Sequence, residues 1–250
     1  MVKSADRAID ILEAVGDARE GLTHAEIAAK LNIPKSSLSA LLVNLVKRQY
    51  LAFHEEGKRY SLGPQLLVLA GRYRAGLDVV SLGQPFLRQV TIDTQESSAL
   101  AVLNQRYQII VGRENSPQSL MRAMQIGERN HLYATAAGKA LLAHRSEEEI
   151  NTYLGSVEMI PVTKYTLTSP EALRLELKNI RNGAIAYSRQ ELQEGIVAMA
   201  APIFDFTEVA IAAIVVGIPS VRFDEKKEKC VEESLRYLTA KFSRQLGYDG

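Results

Sequence analysis

Serines and lysines crowd one short stretch of this chain in a pattern suited to gripping a polyanion. From Lys35 onward, Leu38, Leu41, Leu42, Leu45 and Val46 recur at helical spacing, which leaves Lys35, Ser36, Ser37, Ser39, Asn44, Lys47 and Arg48 on the remaining faces. Short hydroxyls approach bases and phosphates closely, and lysines neutralise phosphate, the source of most nonspecific affinity for a duplex. Between Lys30 and Arg59 six basic residues stand against two acidic ones, a local excess of +4 in a chain whose net charge is only +1. Lys58 and Arg59 add cations beyond the helix itself.

A second group suits a small anion. Ala136, Ala137 and Gly138 open a helix with side chains too small to cover its first amides, where a carboxylate would be stabilised. Catalysis lacks its parts by comparison. His24, His54, His131 and His144 are the only histidines, with no His-Glu-x-x-His pair, no phosphate-binding glycine loop and no cysteine cluster. Ser188 and Glu191 imitate a nucleophile and an acid without a nearby base, and their strand-to-loop position suits ligand contact better. A metal site from His131, His144 and carboxylates is the weaker alternative, so neither metal nor cofactor is expected.

The elements that must hold these residues are legible in turn. Thr23-His24-Ala25-Glu26 is a capping box that starts a helix carrying Ile27, Ala28 and Leu31 on its apolar stripe. Asn32 suits the left-handed end of that helix, and Pro34 suits the first turn of the next, so about three residues separate the two. After Gln49-Tyr50, Leu51 to His54 and Arg59 to Leu62 read as two strands around a Glu55 to Lys58 turn. With a preceding helix over Val2 to Val15, this is a winged helix-turn-helix, the form that places its second helix in a DNA major groove.

Beyond Gly63-Pro64 a linker helix is expected over residues 64–77, giving a DNA-binding domain at 1–63 and a larger domain at 78–250. In the larger domain a helix over Val79 to Thr94 is expected to break near Gly83 and Pro85. Strands are expected at Ser98 to Leu103, Gln108 to Arg113, Leu120 to Ile126, Ala184 to Ser188, Ile196 to Phe204 and Val209 to Ile218. Helices start at the Tyr133 to Ala143 segment, at Ser146 and at Thr168-Ser169-Pro170, and a last one spans Asp224 to Leu246. The fold class is α+β, a mixed or antiparallel sheet with helices on its faces.

Bulk properties narrow the setting. The single cysteine, Cys230, excludes an internal disulfide framework and fits the cytoplasm. The longest apolar run, Val209 to Ile218, is far short of the ~20 residues a membrane helix needs, and no targeting leader opens the chain, so no membrane partner is expected.

The segment from Ala184 to Asp205 resembles the signature of the IclR family of bacterial transcription regulators. Ser188, Glu191, Ala198, Ala200, Ile203, Phe204 and Asp205 follow it at its spacing, and the Ala134-Thr135-Ala136-Ala137-Gly138-Lys139-Ala140 segment resembles the family's other marker. The resemblance covers nearly the whole chain. It implies a GAF-like effector domain after the linker, a small-molecule effector, and a dimer or dimer of dimers; since one winged helix contacts too few phosphates for specific affinity, paired copies on a near-palindromic operator in double-stranded DNA are expected. It carries effector contacts onto the Ala136, Ala137 and Gly138 helix start, Ser188, Ala198 and the strand residues Ile214 and Val216, and Glu191 and Ile196 are expected to join them.

Two departures matter. Relatives binding small oxo-acids tend to carry an aspartate, a cysteine and serines at such positions, whereas this chain offers Ser188, Ala198 and apolar strand residues. An effector with one polar or carboxylate end and an apolar or aromatic body is therefore expected. Many relatives carry arginine where this chain has Ala40, so operator contacts are expected from Lys35, Ser36, Ser37 and Ser39, less from Asn44, with Lys47, Lys58 and Arg59 on phosphates. Repression relieved by ligand is the expected sign of control. The alternatives are a small-molecule-processing enzyme on the GAF-like domain and an interaction module that binds RNA or protein.

Overall fold

The computed structural model describes residues 3–18, 20–69 and 78–250. It divides into two compact units, Met1–Leu77 and Asp78–Gly250, each with its own core. The expected linker falls partly outside the described residues: 65–69 are helical, and 70–77 lie beyond them.

The first unit runs α1 (Lys3–Gly16), β1 (Leu22–Thr23), α2 (His24–Leu31), α3 (Lys35–Lys47), β2 (Leu51–His54) and β3 (Arg59–Leu62). Both halves of the capping box are formed: the Thr23 hydroxyl accepts from the Glu26 amide at 3.3 Å, and Glu26 accepts from the Thr23 amide at 2.7 Å. Donation to its carboxylate from the Thr23 amide and, at 3.0 Å, from the Thr23 hydroxyl holds the Glu26 carboxyl below its ordinary pKa. Asn32 sits at φ 49°, the left-handed end of α2, and Pro34 caps α3 from just outside its first turn. Ile11, Val15, Ile27, Leu38, Leu42, Leu45 and Leu51 close the core. The wing has a third strand that the sequence pattern missed, because β1 is only two residues long and pairs with β3.

The second unit runs α4 (Val79–Thr94), β4 (Ser97–Asn104), β5 (Tyr107–Glu114), β6 (Arg129–His131), α5 (Ala136–Ala143), α6 (Glu147–Ser156), α7 (Pro170–Arg181), β7 (Ala186–Arg189), β8 (Ile196–Phe204), β9 (Ala210–Pro219) and α8 (Glu225–Gln245). Its sheet has the order β6-β5-β4-β9-β8-β7 and is antiparallel throughout. One face packs on α4 and α8, where Phe86 and Phe242 stack at 4.5 Å. The other presents Ala99, Ala101, Ala200, Ala213 and Val215 to α5, a helix buried on every side. Alanine on both partners is what lets α5 approach the sheet so closely.

Two expectations are corrected here. Leu120 to Ile126 is not a strand; the third strand is β6. Carbonyls in that stretch accept from arginine side chains, Leu120 from Arg222 at 2.8 Å and Met124 from Arg113 at 2.9 Å, in place of a strand ladder. The helix over Val79–Thr94 is also unbroken despite Gly83 and Pro85, since Gly83 is buried where a side chain would collide with Leu100 and Phe242. Among the described residues no helix is long and apolar enough to cross a membrane.

Candidate functional site

The exposed face of α3 carries Lys35, Ser36, Asn44 and Lys47 in full view of solvent, with Ser37 half-buried. Two other expected contacts are engaged within the unit. The Ser39 hydroxyl donates to the Lys35 carbonyl at 2.9 Å and meets His24 Nε2 at 2.9 Å, which fixes α3 against the start of α2. Arg59 donates to the Gly21 carbonyl at 2.8 Å and pairs with Glu26 at 3.3 Å, so the wing is bolted to the capping box and this cation is largely neutralised. Lys58 stays exposed at the wing tip, at φ 49°.

In the second unit a cavity of about 40 Å³ opens between α5, the sheet and the loop before β6. Five of the residues expected there line it: Ala136, Ala137, Ser188, Ile196 and Ala198. Thr135 caps α5 by accepting from the Gly138 amide at 3.0 Å, and Ala136 and Ala137, the first two residues of the helix, line the cavity. Ser188 donates to the Ala134 carbonyl at 2.9 Å, tying β7 to the same helix start.

The other four lie elsewhere. A side chain on Gly138 would begin 2.4 Å from Thr135 Oγ1 and 2.5 Å from the Leu132 backbone, so this glycine serves the close approach of the chain to its own cap. Ile214 and Val216 point to the opposite sheet face, in register with Leu100 and Ser98 on β4, and the cavity-facing residues of β9 are Val215 and Gly217. A one-residue shift along a strand exchanges its faces. Glu191 turns away into a buried ion pair: Lys139 Nζ reaches its two carboxylate oxygens at 2.8 and 3.0 Å and Glu176 at 2.7 Å. Burial pushes the Glu191 carboxyl up, against the opposing pull of Lys139.

The polar lining comes mainly from residues that spacing did not single out. Arg122 enters from the loop before β6, its stem resting over Gly217, and binds Glu128 at 2.5 Å. Glu128 also accepts from Asn130 at 3.0 Å and the Gln125 amide at 3.1 Å. Gln108 on β5 is buried, and its Oε1 has no hydrogen-bond partner among the described residues. A buried acceptor without a donor costs ~1–3 kcal/mol, which makes this oxygen a candidate ligand contact.

Residues 71–244 match the family described as bacterial transcriptional regulator IclR C-terminal, and residues 4–55 match the IclR helix-turn-helix domain. The chain belongs to the IclR family. IclR regulators join a helix-turn-helix DNA-binding domain to a C-terminal effector-binding domain, and this chain is such a transcriptional regulator. The HTH-type transcriptional regulator KdgR of Escherichia coli is 32% identical over 248 residues, which cover 99% of this chain and 94% of that one. Among solved structures, the Agobacterium tumefaciens repressor BlcR has a TM-score of 0.85 at 26% identity, covering 99% of this chain and 98% of its own. The C-terminal domain of E. coli KdgR gives a TM-score of 0.63 at 31% identity over 69% of this chain and all of that domain.

Proposed function

We propose that this IclR-family regulator acts in the cytoplasm as a homo-oligomer, a dimer or a dimer of dimers, that represses from a near-palindromic operator until an effector enters the α5 cavity. The observation that carries the effector half is the convergence of the α5 N-terminal residues Ala136 and Ala137, Arg122 and the unpaired Gln108 Oε1 on one small space. An anion is favoured at the helix start, Arg122 offers it the guanidinium N–H groups that its pair with Glu128 leaves over, and Gln108 takes a donor such as a ligand hydroxyl. The effector is accordingly a small carboxylic acid bearing a hydroxyl, with its carbon skeleton against Ile110, Met124, Ile196 and Val215. That lining supports an apolar side to the ligand, while the small volume and the polar wall argue against an aromatic body. An effector larger than a few waters requires the irregular wall loop of Arg122 and Met124 to shift, which gives ligand binding a structural consequence.

The operator half rests on Lys35, Ser36, Ser37, Asn44, Lys47 and Lys58, with Ser39 and Arg59 positioning the helix and wing. One winged helix contacts few phosphates, so two copies on successive major grooves supply the affinity. No enzymatic role is assigned: the Ser188 hydroxyl points its proton at a backbone carbonyl, and no base hydrogen-bonds it among the described residues.

Binding of a labelled duplex spanning the protein's own promoter, titrated with salt and then with a panel of carboxylic acids, tests both halves. Lys47→Ala should weaken all duplexes alike and reduce the slope of log affinity against log salt by about 1 per site. Arg122→Ala should leave operator binding intact while raising the effector concentration needed for release about 10- to 100-fold, the scale of a charged hydrogen bond. Release by neutral aromatic compounds alone, undisturbed by Arg122→Ala, would remove the carboxylate assignment.

A further inference from the structure

The face of α3 turned away from its core is not uniformly polar. Ser36, Ala40, Val43 and Lys47 follow one another at intervals of four, three and four residues and so lie on a single stripe of the helix. Ala40 is exposed, and Val43, in the middle of the stripe, is 68% exposed. The core does not need Val43, since Leu38, Leu42 and Leu45 fill it, with Leu41 and Val46 packed at its margin. Valine is also a poor helix former whose branched side chain is held in one rotamer, so on a solvated helix face it is a local inconsistency of the kind that marks a contact surface. Around it stand Ser36, Asn44 and Lys47, groups suited to phosphates and base edges.

Taking α3 as the groove-facing helix, which rests on the functional reading above, we infer that Val43 and Ala40 form a methyl-binding patch that reads the C5-methyl of a thymine in each operator half-site. Thymine is the one base that offers an apolar group in the major groove, and aliphatic side chains are its natural complement. Val43 lies seven residues from Ser36, about 10 Å along the helix axis. A helix lying in the groove is inclined to the duplex axis, so the patch reads a base pair about two to three steps from the one beneath Ser36. Its stiff side chain presents two methyl groups without loss of rotamer freedom on binding, so discrimination comes from shape rather than from a hydrogen bond.

The test uses the full chain and a duplex selected by it from a randomised library. Each thymine in that duplex is then replaced singly by uracil, which removes the methyl group and leaves every hydrogen-bonding edge in place. The wild-type protein should lose about 3- to 5-fold in affinity at one position per half-site, the scale of one buried methyl. Val43→Ser should bind thymine and uracil duplexes equally, with an unchanged circular dichroism spectrum and salt slope. Uracil tolerated at every position of a selectively bound duplex, or a penalty that persists in Val43→Ser, would overturn the thymine assignment alone. Failure to enrich any sequence would overturn the DNA-contact reading beneath it, and the assignment with it. A Val43→Ser protein that sediments as a smaller species than the wild type would give the patch to a second copy of the chain and overturn the assignment too.

Discussion

Lys139→Met should lower the melting temperature of the C-terminal unit by on the order of 10 °C, a loss of about 3–5 kcal/mol, the usual result of removing one partner of a buried ion pair. Lys139 is fully buried on α5 and bonds two carboxylates; the Glu176 side chain is 42% exposed and can return to water, but that of Glu191 is only 8% exposed. Without the ammonium, Glu191 keeps one donor, the Arg189 amide at 3.2 Å. The double variant Lys139→Met/Glu191→Leu should recover most of the deficit, because the charge that lost its partner is gone as well. Recovery has a direct bearing on the cavity, since Glu191 immediately precedes Leu192 and Gln193 in its wall while Lys139 stands two residues beyond Ala137.

The pH dependence follows in sign. Burial holds the Glu191 carboxyl above the ordinary value of 4.5. A carboxyl whose folded pKa is raised binds its proton more tightly in the folded chain, so its contribution favours folding at acid pH and is lost as pH climbs through the window above 4.5. Lys139 is the main influence opposing that rise, so the deficit of Lys139→Met should be largest at alkaline pH and shrink as pH falls and Glu191 takes up a proton. A deficit below about 1 kcal/mol at every pH would mean that water reaches the pair and that it behaves as a surface salt bridge.

The parts of this molecule that were legible in the sequence are those fixed by neighbours a few residues apart. The Thr23-Glu26 box, the Asn32 stop, the Ser169-Pro170 start of α7 and the Asp224 cap of α8 are all satisfied within one turn of the chain. The β9 face was not legible because a strand covered on both sides is apolar at every position: Ile214, Val215 and Val216 offer no alternation from which to choose. The cavity's arginine and the buried ion pair beside the cavity were hidden for another reason. Arg122 arrives on an irregular loop, and Lys139 meets Glu191 across 52 residues, so neither leaves a periodic trace. The same holds for Arg59, whose partner Glu26 is 33 residues away and reads locally as a capping residue only.

Gly63→Ala should disable operator binding and destabilise the N-terminal unit by more than about 3 kcal/mol, a large share of the few to ~10 kcal/mol expected of so small a unit. Gly63 is buried where the chain leaves the wing and passes the end of α3: its amide donates to the Tyr50 carbonyl at 2.8 Å, and the Gln65 amide donates to the Gln49 carbonyl at 3.0 Å. A side chain there would start 2.2 Å from the Gln49 carbonyl oxygen and 2.9 Å from the Tyr50 carbonyl carbon. These are backbone atoms next to the Leu51–Leu62 strand pair, so the collision is relieved only by pulling the wing away from α3. The helix and wing would then no longer present Lys47 and Lys58, the proposed phosphate contacts, to one duplex. Hydrogen exchange resolved by segment should show faster exchange over residues 22–62 with 97–219 unchanged, beside a fall in duplex affinity of at least about 100-fold. Gly155→Ala is the matched control, because nothing lies within 4 Å of its missing side chain, and both readouts should stay at the wild-type level. Wild-type exchange and affinity in Gly63→Ala would show that the wing and α3 are not held in register at this point, and would move the positioning of the DNA-contacting face onto the Arg59–Glu26 bolt alone.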